Sequence, residues 1–467
     1  MILGAFMLLN IIWAFVYNEN TVFAHLWASA ITIISGLALY LFTKKDDSEE
    51  LLLKESYFTV TMVWVIISLF STLPYFFTGT LTHFPDLLFE TVSGITATGS
   101  TVLTDVEALP NSVLFWRSMT HWIGGMGIIV LVVAILPLLR IGGYNLFKNE
   151  ASGISYEKLA PKTAGTAKRL WGVYLGLTLA LIILLLLGGM TFFEALNYSF
   201  STIATGGFAI KNSSVGEYSA YIQYVIIFFM FLSGVNFYLH YYFIKGNFKK
   251  VFRNVELKTY ISIILISTSI VGFFLIKNGD YSLSKSFRDS LFQVVSIIST
   301  TGFTTTNYLD WPLASWSVLF LLMFVGASVG STGGGVKVIR HIVNFKNVVV
   351  HFKKMLHPNS VSLLKINGEA LDDDKVNSII SFLVLYMLTF IVGSIILIFL
   401  GEDLLTSVGA VAANMGGVGP GIGLVGPEAG YSEIHNAGKI TLSILMIAGR
   451  LELSTVIILF TSIFWKN

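Results

Sequence analysis

The chain has 467 residues, of which 54% are apolar and 42 more are glycine, so apolar residues plus glycine reach about 63%, against 45–50% in soluble domains. Only 12% are charged, about half of what a water-facing surface needs, which excludes a soluble globule and points to a polytopic membrane protein. The absence of cysteine excludes disulfides, thiolate zinc sites and cysteine nucleophiles, and the eight histidines include no i, i+4 pair of the metal-binding kind.

In chain order, apolar runs fall at about residues 2–17, 21–42, 56–77, 113–139, 170–188, 221–244, 259–276, 316–329, 376–400 and 440–464, predicting ten helices. The first run lacks a basic leader and an A-x-A cleavage site, so it reads as a retained helix. Between certain runs lie shorter segments rich in Gly, Ser and Thr, at 86–103, 194–210, 289–306 and 404–426, too short and polar to span. If the Met1 end is cytoplasmic, 22 of the 29 Lys and Arg fall in inner loops, so the positive-inside rule puts both termini in the cytoplasm. Every basic loop abuts a span, which argues against nucleic acid as a partner.

After a two-helix hairpin at 1–45, the order helix, short polar segment, helix recurs four times, at 52–140, 168–246, 255–355 and 375–467. Asp86 and Ser93 stand thirteen and six residues before Gly99; Glu194 and Ser201 hold those offsets from Gly207, and Asp289 and Ser296 from Gly302. In the fourth segment the count from Asp403 gives Gly416, whereas the local pair Val418-Gly419 matches Thr98-Gly99 and Thr301-Gly302; Gly419 is the preferred reading and Gly416 the alternative. Each segment reads as a half-length helix with an acid near its N-terminus, then an extended strip. Non-helical backbone at membrane depth must be buried in protein or line water, so four strips about one axis imply a polar pore. Glycine lets successive carbonyls point one way and replace the hydration shell of a monovalent cation. The strips carry no acidic ring, which favours carbonyl-based, potassium-like selectivity over divalent selectivity.

These residues resemble the Trk/Ktr/HKT superfamily of cation transporters, specifically the TrkH-type subunit of bacterial Trk potassium uptake systems. The likeness lies in TATGSTVL at 96–103, WIGGMGIIV at 122–130, TGGF at 205–208, TTGFT at 300–304, GSTGGGVKVIR at 330–340, NMGGVGPG at 414–421 and AGRLE at 448–452. The resemblance implies an all-α membrane fold with two extra N-terminal helices and four helix, pore-loop, helix repeats in pseudo-fourfold arrangement around one pore. It also implies a selectivity filter at Thr98, Gly99, Gly206, Gly207, Thr301, Gly302, Val418 and Gly419, with K+ as the transported ion and no organic cofactor. In the plant relatives a serine at the first filter position goes with sodium transport; glycine at 99 implies preference for potassium.

Two features below the filter resist a packing explanation. The segment 326–335, with Gly326, Gly330, Gly333, Gly334 and Gly335, interrupts the second helix of the third repeat, since each glycine costs a helix about 1 kcal/mol relative to alanine. The resemblance makes it a gate. Arg450 lies deep in an apolar run, where an arginine costs about 2.5–3.5 kcal/mol unless it meets water or a partner. Glu452, two residues on, does not share its helix face, so Arg450 is expected to point into the pore. Arg117, His121 and Lys439 read as ordinary interfacial residues. The resemblance further implies a homodimer, seated in the lipid of the bacterial inner membrane on a cytosolic TrkA-like nucleotide-binding ring; Lys346, Lys353, Lys354 and Lys365 of the basic inner loops are candidate docking positions, which the positive-inside bias explains equally well. The rival readings are a sodium-permeable relative, an ion-coupled secondary transporter with inverted repeats, and an intramembrane hydrolase using Ser328 in the G-x-S-x-G at 326–330; the chain is expected not to be an enzyme.

Overall fold

The structure, a computed structural model, describes residues 1–43, 53–134, 163–278, 281–359 and 363–465. Of the basic inner loops at 44–54 and 140–169, residues 44–52 and 140–162 lie outside the described residues, as does the end of the first repeat at 135–140.

Helices α1 (Ile2–Val16) and α2 (Val22–Thr43) form a hairpin tight enough for the Ser29 hydroxyl to donate to the Gly4 carbonyl at 2.7 Å. The next group is α3 (Leu53–Ser71), α4 (Leu73–Thr78), α5 (Phe84–Thr96) and α6 (Asn111–Ala134). It is followed by α7 (Thr163–Leu187), α8 (Phe192–Ile203), α9 (Ala220–Gly234), α10 (Phe237–Ile244) and the short α11 (Phe248–Arg253). A third group comprises α12 (Val255–Lys277), α13 (Leu283–Ile298), α14 (Leu313–Leu322) and α15 (Val338–Leu356). The last is α16 (Asp373–Phe399), α17 (Leu404–Gly416), α18 (Asn436–Arg450) and α19 (Leu453–Ile457), with a final turn α20 (Ser462–Trp465).

Among the described residues five helices are long and apolar enough to cross a membrane: Val22–Thr43, Lys54–Thr78, Gly165–Leu187, Val255–Lys277 and Asp373–Phe399. Two more spans are bent pairs. The α9–α10 joint turns by 103° and the joint after α18 by 120°. The uninterrupted helices expected over 221–244 and 440–464 are therefore both broken. At the first joint Val235 is extended and Asn236 restarts a helix by accepting the Tyr238 amide at 2.9 Å; at the second, Glu452 takes φ +72. The run at 316–329 yields only the ten-residue α14, because the glycines that follow hold no helix.

Of the half-length helices α5, α8, α13 and α17, the last three begin at side-chain caps, whereas α5 begins with a proline in its first turn. Thr191 and Glu194 form a capping box on α8, Ser282 caps α13, and the Asp403 carboxylate accepts from Leu405 and Thr406 amides at 2.9 and 3.1 Å on α17. Asp86 sits in the first turn of α5, but Asp289 falls in the second turn of α13, since that helix starts earlier than its acid suggested. Among the described residues the one sheet is a hairpin of β1 (Lys365–Ile366) and β2 (Glu369–Ala370), turned by Asn367 and Gly368 at φ +51 and +98, an Asn-Gly signal that the all-helical reading passed over.

The half-length helices interlock cyclically. α5 packs on α18, α8 on α6 and α13 on α9, so each touches the second helix of the preceding group, and the fourth group closes onto the first. Gly124 of α6 sits where a Cβ would collide with the Ile95 carbonyl of α5. Gly124→Ala is accordingly expected to cost about 1–3 kcal/mol, read as a lower melting temperature of the purified protein in detergent.

Candidate functional site: a ring of four strips and the loop beneath it

After each half-length helix the chain turns back in the same way. The amides of Thr98, Gly206, Thr301 and Val418 donate to the carbonyls of Ser93, Ser201, Ser296 and Ala413 at 2.9, 2.8, 2.8 and 2.8 Å. Positive φ recurs two residues apart in every strip: Ala97 and Gly99 (+52, +88), Thr205 and Gly207 (+56, +85), Thr300 and Gly302 (+62, +81), Gly417 and Gly419 (+70, +95). Alternation of this kind turns successive carbonyls toward one side. The serines found by their spacing share this main-chain role with Ala413, and two use their hydroxyls as well, Ser296 donating to the Phe303 carbonyl at 2.6 Å and Ser201 bonding His121 Nδ1 at 3.3 Å.

The strips meet in a closed ring. A Cβ on Gly99 would overlap the Gly206 carbonyl oxygen, one on Gly207 that of Thr301, and one on Gly302 that of Val418; one on Gly419 would lie 2.8 Å from the carbonyl of Thr98. Each glycine thus faces the carbonyl of the residue that precedes the next strip's glycine. Gly419, with positive φ, holds the fourth place, whereas Gly416 is the last residue of α17. Above the ring an open mouth of 600 Å³ is bounded by Gly99, Gly207, Gly302 and Gly419 with Ser100, Asn307 and Glu433 among others.

Every junction of the ring is braced from behind. Arg117 joins the first two strips: Nε lies 3.0 Å from Glu90 Oε1, Nη1 donates to the Ala209 carbonyl at 3.0 Å, and the guanidinium stacks 4.1 Å from the Phe208 ring. Glu90 in turn accepts the Val102 amide and the Thr101 hydroxyl at 3.0 and 2.9 Å. Strips two and three are joined by the Val215 amide on the Thr304 carbonyl at 3.0 Å, three and four by the Tyr308 hydroxyl on Gly421 at 2.6 Å. Ser100 and Tyr431 close the circle, both donating to the Gly419 carbonyl at 3.1 and 2.8 Å.

Arg117, His121 and Lys439 are therefore not interfacial residues. Arg117 is 2% exposed, His121 is fully buried and stacks on Phe208 at 4.1 Å, and Lys439 is buried in an ion pair with Asp86 at 2.6 Å that ties α18 to α5. Glu90 escaped the sequence reading because it lies off the thirteen-residue repeat. Its signal was an acid inside an apolar half-length helix, which calls for a buried cation.

Beneath the ring, residues 326–335 form no helix, with positive φ at Gly326, Gly330 and Gly335. The loop lies against the inner ends of three half-length helices. The Thr332 hydroxyl donates to the Ile203 carbonyl at 2.9 Å, the Gly334 amide to the Thr300 hydroxyl at 2.7 Å, and a Cβ on Gly334 would stand 2.7 Å from the Gly416 carbonyl. Arg450 reaches this loop: Nη1 donates to the Thr332 carbonyl at 2.6 Å, while its Nε and Nη2 are buried with no hydrogen-bond partner among the described residues. Glu452 instead pairs with Arg340 of α15. Lys337 donates to the Gly333 carbonyl, so two cations hold the loop by main-chain oxygens. Thr332, which glycine spacing alone could not single out, is the residue on which these contacts converge.

Comparison with known proteins covers nearly the whole chain. The TrkH family, described as cation transport protein, matches residues 21–466. The chain is 37% identical over 437 residues to a Trk system potassium uptake protein TrkH of Vibrio parahaemolyticus, covering 92% of this chain and 90% of that one. It is 35% identical over 465 residues to the Escherichia coli protein of the same name, covering 97% and 94%. The crystal structure of the potassium transporter TrkH from Vibrio parahaemolyticus superimposes with a TM-score of 0.91 at 35% identity, over 100% of this chain and 97% of that one.

Removing one partner of a buried ion pair leaves the other charge uncompensated, at a cost of about 3–5 kcal/mol. Glu90→Gln is expected to lower the melting temperature correspondingly and to reduce cation flux, because the stranded Arg117 charge then stands beside the ring; a melting curve superimposable on the unaltered protein's would remove Glu90 from the bracing.

Proposed function

The chain belongs to the TrkH family of cation transport proteins, and we propose that it is the membrane subunit of a Trk-type system that takes up potassium through the ring of four strips. It is a multi-pass membrane protein, and its family is one of transporters rather than enzymes. The observation that carries the proposal is the cyclic seating of Gly99, Gly207, Gly302 and Gly419 against the carbonyls of Gly206, Thr301, Val418 and Thr98. Four carbonyl oxygens at one level replace the water around a monovalent cation. The C-terminal ends of α5, α8, α13 and α17, which carry partial negative charge, favour a cation just below. On this reading the selectivity filter comprises Thr98, Gly99, Gly206, Gly207, Thr301, Gly302, Val418 and Gly419.

The loop at 326–335 and Arg450 serve as the gate. Arg450 places an unpaired positive charge below the ring, and its bond to Thr332 ties that charge to the loop. The distribution of Lys and Arg supports an orientation with both termini in the cytoplasm, and the family supports a bacterial inner membrane as the location. A homodimer seated on a TrkA-like ring completes the system. Lys353, Lys354 and Lys365 are exposed, and Lys346 donates to the Lys365 carbonyl at 2.7 Å, so α15 and the β-hairpin offer one basic docking face. A hydrolase built on Ser328 is disfavoured, because the G-x-S-x-G stretch follows α14 and not a strand, and Ser328 is 1% exposed. Inverted repeats fit poorly with four half-length helices that end at a common ring in the same sense.

The deciding experiment is Rb+ uptake into liposomes containing the purified protein, with K+, Na+ and Li+ as competitors. Potassium is expected to compete best, and equal competition by Na+ would overturn the potassium assignment. Gly99→Ser forces a side chain at φ +88 against the Gly206 carbonyl; the K+/Na+ permeability ratio is expected to fall about tenfold, equivalent to about 1.4 kcal/mol. Arg450→Ala removes the unpaired cation and is expected to raise basal Rb+ flux several-fold, whereas reduced flux from a normally folded variant would argue against its being a barrier.

A further inference from the structure

A crevice of 690 Å³ opens between α7, α9, α10 and α12, where the 103° bend carries α10 away from α9. Its walls include Val173, Leu177, Phe231, Leu239 and Leu257, and the exposed Arg169 stands among its lining residues. Gly172 and Gly176, one turn apart on α7, also line it. A Cβ on either would meet nothing within 4 Å. Small residues at this spacing ordinarily let a second helix approach, yet among the described residues none of this chain does so.

The polar end of the crevice gathers positive charge without a counterion among the described residues. The Arg169 guanidinium lies 5.7 Å from the centre of the Tyr241 ring and donates to its hydroxyl at 2.9 Å, and the Lys245 ammonium lies 5.3 Å from the same ring. Lys250 sits 4.8 Å over the neighbouring Tyr242. Two cations at one aromatic ring repel each other unless an anion joins them. Within residues 163–177 and 228–261 the sequence supplies a single carboxylate, Glu256, and it is buried, accepting the Val329 amide at 2.9 Å. No salt bridge among the described residues engages Arg169, Lys245 or Lys250.

We propose that this crevice is a binding site for an anionic glycerophospholipid, with acyl chain beside Gly172 and Gly176 and phosphate between Arg169 and Lys245. Basic pockets between spans on the cytoplasmic side suit such headgroups. A second copy of the chain is the poorer occupant. A two-fold interface would bring its own Arg169 and Lys245 to the same place and add like charges. The site rests on the orientation proposed above, which puts the start of α7 and the end of α10 at the inner leaflet. It also touches the gate. The Phe237 amide of α10 donates to the Gly330 carbonyl at 2.9 Å, and the Ser328 amide to Gly234 at 3.0 Å, so whatever fills the crevice sets the joint on which the loop hangs.

The test is native mass spectrometry of the full chain titrated with phosphatidylglycerol and, separately, phosphatidylcholine. The unaltered protein is expected to retain phosphatidylglycerol about tenfold more readily, and added inorganic phosphate is expected not to displace it. The R169Q/K245Q variant should lose the preference, and Gly176→Trp, which fills open space, should lose the bound lipid with an unchanged melting temperature. Equal retention of the two lipids, or a preference that survives in R169Q/K245Q, overturns the proposal. A shift from dimer to monomer in Gly176→Trp assigns the crevice to a second copy instead. Should R169Q/K245Q not fold, Gly176→Trp alone decides. Because the chain has no cysteine, labelling Lys245→Cys from either side of a vesicle reports orientation independently of lipid binding.

Discussion

Four stretches of irregular backbone pass one another at membrane depth so closely that a single added carbon on Gly99, Gly207 or Gly302 would overlap a neighbour's carbonyl. Everything around them answers this approach. Backbone without helical bonding is stable in a membrane only when its polar groups are met elsewhere. Here the amides turn back to Ser93, Ser201, Ser296 and Ala413, and the strips are braced from behind by Arg117, Val215, Tyr308 and Tyr431. The half-length helices must stop where they do because the strip needs a positive φ within two residues of their ends. That requirement is strong enough to hold Thr205 and Thr300, both β-branched, at φ +56 and +62, where such residues are rarely found.

Buried charge is used in two opposite ways. Glu90 and Arg117 neutralise each other beside the ring, as do Asp86 and Lys439 where the fourth group closes on the first. These pairs place rigid, directional bonds in an apolar surrounding without leaving a net field near a cation's path. Among the described residues Arg450 receives no such partner. Its carboxylate neighbour in sequence, Glu452, is turned away by the break in the helix and taken by Arg340. The proposed gate thus acts through charge as well as through the bulk of the loop, and it does so because the helix carrying Arg450 ends at the residue itself.

Much of this was legible in the sequence. The Asp, Ser and Gly spacing located three strips without gaps, and the Val418-Gly419 pair pointed to the fourth where the count from Asp403 pointed to Gly416. That count failed because Asp403 is a cap outside α17, whereas Asp86 and Glu194 lie inside the first turn of their helices. The breaks after Gly234 and Arg450 were not legible, since each hides in an unbroken apolar run. An apolar residue at Val235 or Leu451 fits a span equally well, and only the tertiary contacts of Asn236 and Glu452 reveal the bend. Arg117, His121 and Lys439 were misread because their position near the ends of apolar runs looked interfacial. Their partners lie on other elements: Glu90 is 27 residues from Arg117, and Asp86 is 353 from Lys439.

The broken helices also constrain how the loop at 326–335 can move. It is hydrogen-bonded to the end of α9 through Ser328 and Thr332, to the start of α10 through Gly330, and to Glu256 of α12 through Val329. A motion that spared these bonds would release the contacts to Ile203, Thr300, Arg450 and Lys337, the two neutral bonds worth about 1 kcal/mol each and the two from cations about 1.5–3 kcal/mol each. The cations therefore hold the loop more firmly than its neutral contacts do. In the proposed orientation α10, α12 and α15 reach the cytoplasmic side, so a force applied there is passed to the loop through the α9–α10 joint, through the bond of Val329 to Glu256, and through Lys337 where α15 continues from the loop.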